Sequence, residues 1–146
     1  MSKIFFDADV LFSLVYSQNP LSGAKRVLIH GYLEKYSFIT SFPVIEEVRK
    51  NLSVYNNPTY LKKLKELLED FNFLIIKILN EKLIDLYKNV VHKKDLHVLI
   101  AAIQAEADYL LTYNKKHFLT SKFIKFNLKL QVMNPKEFIT KVILST

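Results

Sequence analysis

From Leu96 to Ala107 the chain is largely apolar, and a second apolar burst, Tyr109 to Leu111, follows almost at once. A run of helical length, entered through Asp95, reads as a buried helix; the short burst behind it reads as a buried strand. The strand ends on Thr112, Tyr113 and Asn114. A buried helix feeding a buried strand belongs inside an α/β sheet and delivers polar side chains to the mouth of that sheet. Side chains placed there need polar partners from elsewhere in the chain.

The same alternation runs through the rest of the sequence. Lys3 to Phe6 reads as a strand that leaves through Asp7-Ala8-Asp9 into an apolar helix, Val10 to Tyr16. Ser22 caps a helix to about Tyr36, and Ser37 to Thr40 follows as a strand. Ser41 caps a third helix, Phe42 to Val54, with Pro43 tolerated in its first turn. Thr59 is the expected cap of a fourth, where Leu61, Leu64, Leu67, Leu68 and Phe71 recur at helical spacing. Phe73 to Ile76 is a third strand, Glu81 to Val91 a fifth helix, and Leu128 to Met133 a last strand. Asn134, Pro135 and Glu137 open a closing helix to about Leu144 with the pattern of a capping box. Short, continuously apolar strands alternating with helices imply a parallel sheet covered on both faces. The expected fold class is α/β, a three-layer sandwich with a short, mainly parallel central sheet of about five strands flanked by helices. No linker or repeat interrupts it, so residues 1–146 are expected to form a single domain.

Composition narrows the chemistry. The chain has no cysteine, which removes disulfides, thiolate zinc sites and cysteine nucleophiles and is compatible with a reducing cytoplasm. Two glycines, Gly23 and Gly31, are too few for a dinucleotide fingerprint or a phosphate-binding P-loop. The four histidines form no HExxH, and no serine sits in a glycine-flanked elbow. A phospho-acceptor receiver domain would need its acceptor Asp after the third strand, where Lys77 stands. The N-terminus, MSKIFFDAD, has no signal-peptide core, and no apolar run reaches the roughly 20 residues of a membrane span. A soluble, cytoplasmic protein is expected. Of the 21 basic and 14 acidic residues, seven lysines and one acid, Glu137, fall from Leu110 onward. Such one-sided charge suits a polyanion such as nucleic acid, and equally a solvated lysine-rich surface.

Acids at strand ends and helix starts remain. Ligands of parallel sheets bind at the carboxyl ends of the strands, near the switch point. Asp7 follows the first strand, Asn114 the fourth, and Asp95 opens the buried helix. On the third helix the apolar stripe is Val44, Ile45, Val48 and Leu52, and Glu47 lies nearer its edge than Glu46. Crowded carboxylates repel one another, and a divalent cation relieves that repulsion; hard oxygen donors suit Mg²⁺ or Mn²⁺. Such a cation in front of a basic surface fits phosphodiester hydrolysis. Taken singly, Asp7, Asp9, Asp95 and Asn114 also fit caps and turns, Glu47 a surface acid, Thr112 a strand end, and His97 and His117 packing or surface residues.

As a set, these residues resemble the PIN domain family, in order and over essentially the whole chain. The motifs are FFDADVLFS, SFPVIEEV with Ser41 six residues before Glu47, KDLHVLIAAIQAEADYLLTYNKKHF, and a late NPKEF. The third is the most specific and is similar to the branch of toxin components of toxin–antitoxin systems, the VapC-like ribonucleases. The resemblance implies a metal-dependent endoribonuclease with Mg²⁺ or Mn²⁺ at Asp7, Glu47 and Asp95. Asn114 stands where many members have a fourth acid, Thr112 supports it from the same loop, and Lys115 and Lys116 would meet nucleic acid. It further implies an RNA substrate, a cognate antitoxin and a possible homodimer. Two positions depart from the family pattern: position 9 is Asp where Asn is commoner, and position 114 is the neutral Asn. The alternative reading is a non-catalytic nucleic-acid- or protein-binding PIN domain with a degraded metal site.

Overall fold

The fold is that of a computed structural model, which describes residues 1–145. The chain runs β1 (Lys3–Phe6), α1 (Ala8–Tyr16), α2 (Gly23–Leu33), β2 (Ser37–Ser41), α3 (Phe42–Ser53), α4 (Pro58–Asp70), β3 (Leu74–Ile76) and α5 (Glu81–Tyr87). It continues through α6 (Lys93–Gln104), β4 (Tyr109–Leu111), α7 (Lys115–Phe118), α8 (Ser121–Phe126), β5 (Gln131–Met133) and α9 (Pro135–Phe138), which passes into a π-helical turn, Ile139–Ile143. The strands form one sheet in the order β3-β2-β1-β4-β5, and every neighbouring pair is parallel. This is the expected α/β class, with helices on both faces.

The order decides where a ligand can sit. From β1 the chain builds outward through β2 to β3, then returns to add β4 on the other side of β1. The switch point therefore lies between β1 and β4, paired from Ile4–Tyr109 to Phe6–Leu111. Ile4, Phe5, Phe6, Leu110 and Leu111 are fully buried, which fixes these two strands at the centre of the core. Their carboxyl ends stay side by side because the Asp7 amide donates to the Leu111 carbonyl at 3.0 Å. Thr40 secures the other neighbour: its hydroxyl donates to the Phe6 carbonyl at 3.0 Å, one residue before Asp7.

Three local expectations need correcting. Asn57, not Thr59, caps α4; its side chain accepts from the Thr59 amide at 3.0 Å, and Pro58 takes the first helical position, where no amide is needed. His92 caps α6 by accepting from the Lys94 amide at 3.1 Å. Asp95 thus lies inside the first turn, and its carboxylate is not consumed by capping. Helix α8 was not expected: Thr120 caps it and Asn127 ends it in the left-handed conformation at φ 48°. Six residues are too short for a 3.6-residue period to show in a lysine-rich stretch.

Gly31 marks a close approach. A Cβ there would lie 2.6 and 2.9 Å from ring atoms of Phe38, which is buried on β2. Helix propensity favours Ala over Gly by about 1 kcal/mol, whereas overpacking a core costs about 1–3 kcal/mol. The ring is held between Phe6, Phe71 and Phe73, so the clash outweighs propensity. Gly31→Ala is therefore expected to lower the melting temperature; a rise on thermal unfolding would show that Phe38 moves freely.

Candidate active site

Asp7 is the first residue past β1 and caps α1, its Oδ1 accepting from the Ala8 amide at 2.7 Å. Its Oδ2 accepts from the Thr112 hydroxyl at 2.8 Å. Thr112, fully buried, is the first residue past β4. The same hydroxyl accepts from the Asn114 amide at 3.1 Å, which leaves its single proton for Asp7. Asp9, two residues on, also points into this corner. Its Oδ2 accepts from the Tyr113 amide and from the Asn114 side-chain amide, both at 3.0 Å. The two departures from the family pattern, Asp9 and Asn114, are thus bonded to each other.

The corner is electrically strained. Burial holds Asp7 above the usual carboxylate range despite its two hydrogen bonds, and the charges of Glu47 and Asp95 add to the rise. Burial, then the charge of Asp7, pushes Asp9 up to about 7. Asp9 Oδ1 is buried with no hydrogen-bond partner among the described residues. A buried carboxylate oxygen without a donor, next to a second carboxylate, fits a hard cation far better than it fits its neighbour. Glu47, exposed on α3, shares a cleft of about 390 Å³ with Asp9. Asp95 Oδ2 stands 3.9 Å from His117 Nδ1. Asp7, Asp9, Thr112 and Asn114 therefore form one network, with Glu47 and Asp95 on its two flanks. Among the described residues, no three acids or histidines come together closely enough to be a ready-made metal cage.

The lysines divide. Lys115 Nζ pairs with Glu137 at 2.8 Å, and this contact, above all others, holds Glu137 below the usual carboxylate range. Lys116 instead lines a cleft of about 480 Å³ together with His92, Lys94, Asp95, His117 and Thr120. Sequence reasoning gave His92, Lys94 and His117 no part in the site. The one available signal was chain proximity: His92 and Lys94 precede Asp95 by three residues or fewer, and His117 follows Asn114 by three.

The raised carboxyl of Asp9 makes a pH prediction. An acid whose pKa rises on folding, here from 3.8 to about 7, penalises the folded state once it is ionised. The penalty is full above about 7 and is relieved as pH falls from there towards 3.8. The metal-free protein is expected to melt at a higher temperature at pH 6 than at pH 8, and Asp9→Asn to flatten that difference. An equal slope in both proteins would assign the pH dependence to other groups.

A family profile described as PIN domain matches residues 3–116. The chain belongs to the PIN domain family. The match runs from the first residue of β1 into α7 and encloses Asp7, Asp9, Glu47, Asp95, Thr112, Asn114, Lys115 and Lys116. The PIN fold is also that of a chain in the crystal structure of VapBC2 from Rickettsia felis bound to a DNA fragment from their promoter. The two share 16% identity with a TM-score of 0.64, over 90% of this chain and 98% of the other. No curated protein matches the chain at a significant level. Among the described residues of this PIN domain, no helix is long and apolar enough to cross a membrane.

Proposed function

We propose that this PIN domain is a divalent-metal-dependent endoribonuclease, the toxin of a type II toxin–antitoxin pair acting in the cytoplasm. One observation supports this most: the buried carboxylate of Asp7 and the partly buried one of Asp9 meet at the switch point, and the Asp9 Oδ1 atom is buried there without a hydrogen-bond partner. Asp7, Glu47 and Asp95 would hold Mg²⁺ or Mn²⁺, with Asp9 beside them. When bound, such a cation lowers the pKa of water and offsets charge on the phosphate. The chain's own residues set the stage. Thr112 fixes one oxygen of Asp7 and Ala8 the other, so the carboxylate is presented in a single orientation. Asn114 and the Tyr113 amide do the same for Asp9. Lys94 and Lys116 line the cleft beside Asp95 and would hold the RNA backbone as point charges. The likeness in fold to VapBC2 supports an antitoxin partner, and a homodimer is compatible with it.

The expected result is cleavage of single-stranded RNA that stops with a chelator and returns with Mn²⁺ or Mg²⁺. Cleavage indifferent to chelation would remove the metal from the reaction. A second reading, a non-catalytic binding PIN domain, draws on Asn114, whose side-chain amide donates to Asp9 instead of adding a charge. Calorimetry separates the two: Mn²⁺ binding at millimolar concentration that disappears in Asp7→Asn favours the nuclease.

A further inference from the structure

The cleft shared by Asp9 and Glu47 continues away from the acids. Its other lining residues are Phe12, Asn51, Val54 and Tyr55. Glu47, Asn51 and Tyr55 follow one another at four-residue spacing, so they lie along one ridge of α3 and the turn that ends it. The ridge leads from a carboxylate to an exposed amide and then to an exposed ring. Tyr55 is 46% exposed, yet it is braced. Its ring centroid lies 4.8 Å from Tyr16, 5.9 Å from Tyr60 and 6.4 Å from Phe12. Phe12 and Tyr16 are themselves stacked at 5.2 Å. A ring held by three others, with nearly half its surface open, does little for the core and loses little freedom when something stacks on it.

We propose that this cleft is a nucleobase subsite, which takes an unpaired base of the RNA strand beside the phosphate held at the acids. The proposal rests on the ribonuclease reading. A volume of about 390 Å³ admits one base with its sugar. Tyr55 offers a π-face to any base, and Asn51 carries both a donor and an acceptor for a base edge. The subsite is lined by Asp9 and Glu47, and a separate lysine- and histidine-lined cleft holds Asp95. A strand bound at the acids is thus offered stacking in the first cleft and backbone-binding cations in the second. Paired RNA cannot use it, because a base must leave its stack to reach Tyr55.

The chain has no tryptophan, so Tyr55→Trp creates a single indole reporter in it. In an Asp7→Asn background, single-stranded oligoadenylate is expected to quench that indole, while an abasic strand of equal length and a duplex leave it unchanged. Tyr55→Ala is expected to weaken oligoadenylate binding about tenfold, the effect of one lost base–aromatic stack. Asn51→Ala, at an exposed position that needs no refolding, is expected to weaken it about threefold. Equal quenching by the abasic strand, or unchanged affinity in both variants, overturns the subsite. So does an indole that ignores the oligonucleotide and answers only to an arginine-containing peptide. The parent reading fails separately: wild-type protein that cleaves no RNA, with base quenching intact, removes the nuclease and leaves the subsite standing.

Discussion

Asp7→Asn is expected to cut RNA cleavage to a small remainder and, in the same protein, to raise the melting temperature of the metal-free form. Both effects come from one carboxylate. Asp7 is 8% exposed, and burial disfavours its charge. Glu47 and Asp95 disfavour it further, and its own charge raises Asp9. The amide keeps the Ala8 hydrogen bond through its oxygen. Its nitrogen then faces the Thr112 hydroxyl, which can accept from it and turn its proton to Asp9, 3.4 Å away. One of the two amide hydrogens is thereby met, and a buried charge is gone. A gain of roughly 1 kcal/mol, or about 2–4 °C in a chain of this size, is expected. Activity should fall by about 10²–10³-fold, the scale of losing one principal electrostatic group. A protein that loses activity and also melts lower would mean that Asp7 is retained for capping α1. One that melts higher but still cuts would remove Asp7 from the reaction.

The second large effect concerns the bonded pair Asp9 and Asn114. Asn114 Nδ2 donates to Asp9 Oδ2 at 3.0 Å, so one hydrogen bond joins the two positions that depart from the family pattern. Exchanging the residues conserves both the bond and the net charge of the corner. Asp9→Asn alone removes a carboxylate and is expected to cost about 10–100-fold in metal affinity, as the loss of a supporting group does. Asn114→Asp alone replaces the donor with a second acid facing Asp9, and two like charges at that distance drive one pKa up and lower stability. The double exchange, Asp9→Asn with Asn114→Asp, is expected to recover most of both losses. A cycle of the four proteins, read by Mn²⁺ titration and thermal melting, measures the coupling directly. Simple additivity of the single effects would show that the positions act independently.

Much of this corner was legible in the sequence because it obeys local rules. Continuous apolar runs marked the central strands, and a polar residue directly behind each run could only lie at the sheet mouth. That logic located Asp7 and Thr112, the two buried polar residues that touch. Glu47 was harder: it is exposed, and helical periodicity separates it from Glu46 only by its distance from the Val44–Leu52 stripe. The contact of Asp95 with His117 was not legible, since it depends on how α7 packs near α6. Nor was the pairing of Lys115 with Glu137, which brings residues 115 and 137 together from either side of β5. The missed cap at His92 has a similar cause, for imidazole is an uncommon cap and Asp95 offered a commoner one. The aromatic bracing of Tyr55 joins α1, the end of α3 and the start of α4, so no single stretch announces it.

Under the nuclease reading, the order of the sheet also bears on when the protein could begin to cut RNA. Asp7 leaves the ribosome 105 residues ahead of its partner Thr112, and β4 must enter beside β1 before they meet. A nascent chain that ends within α6 holds Asp7 and Glu47 without the loop that orients Asp7. The same chain leaves one edge of β1 open. An α/β sheet that closes its central pair so late folds slowly and largely after translation of its first half. Under the nuclease reading, this topology works as a delay. Asp7, Asp9 and Glu47 are all made before β4, yet they are assembled into a cutting site only once β4 and the loop with Thr112 have followed.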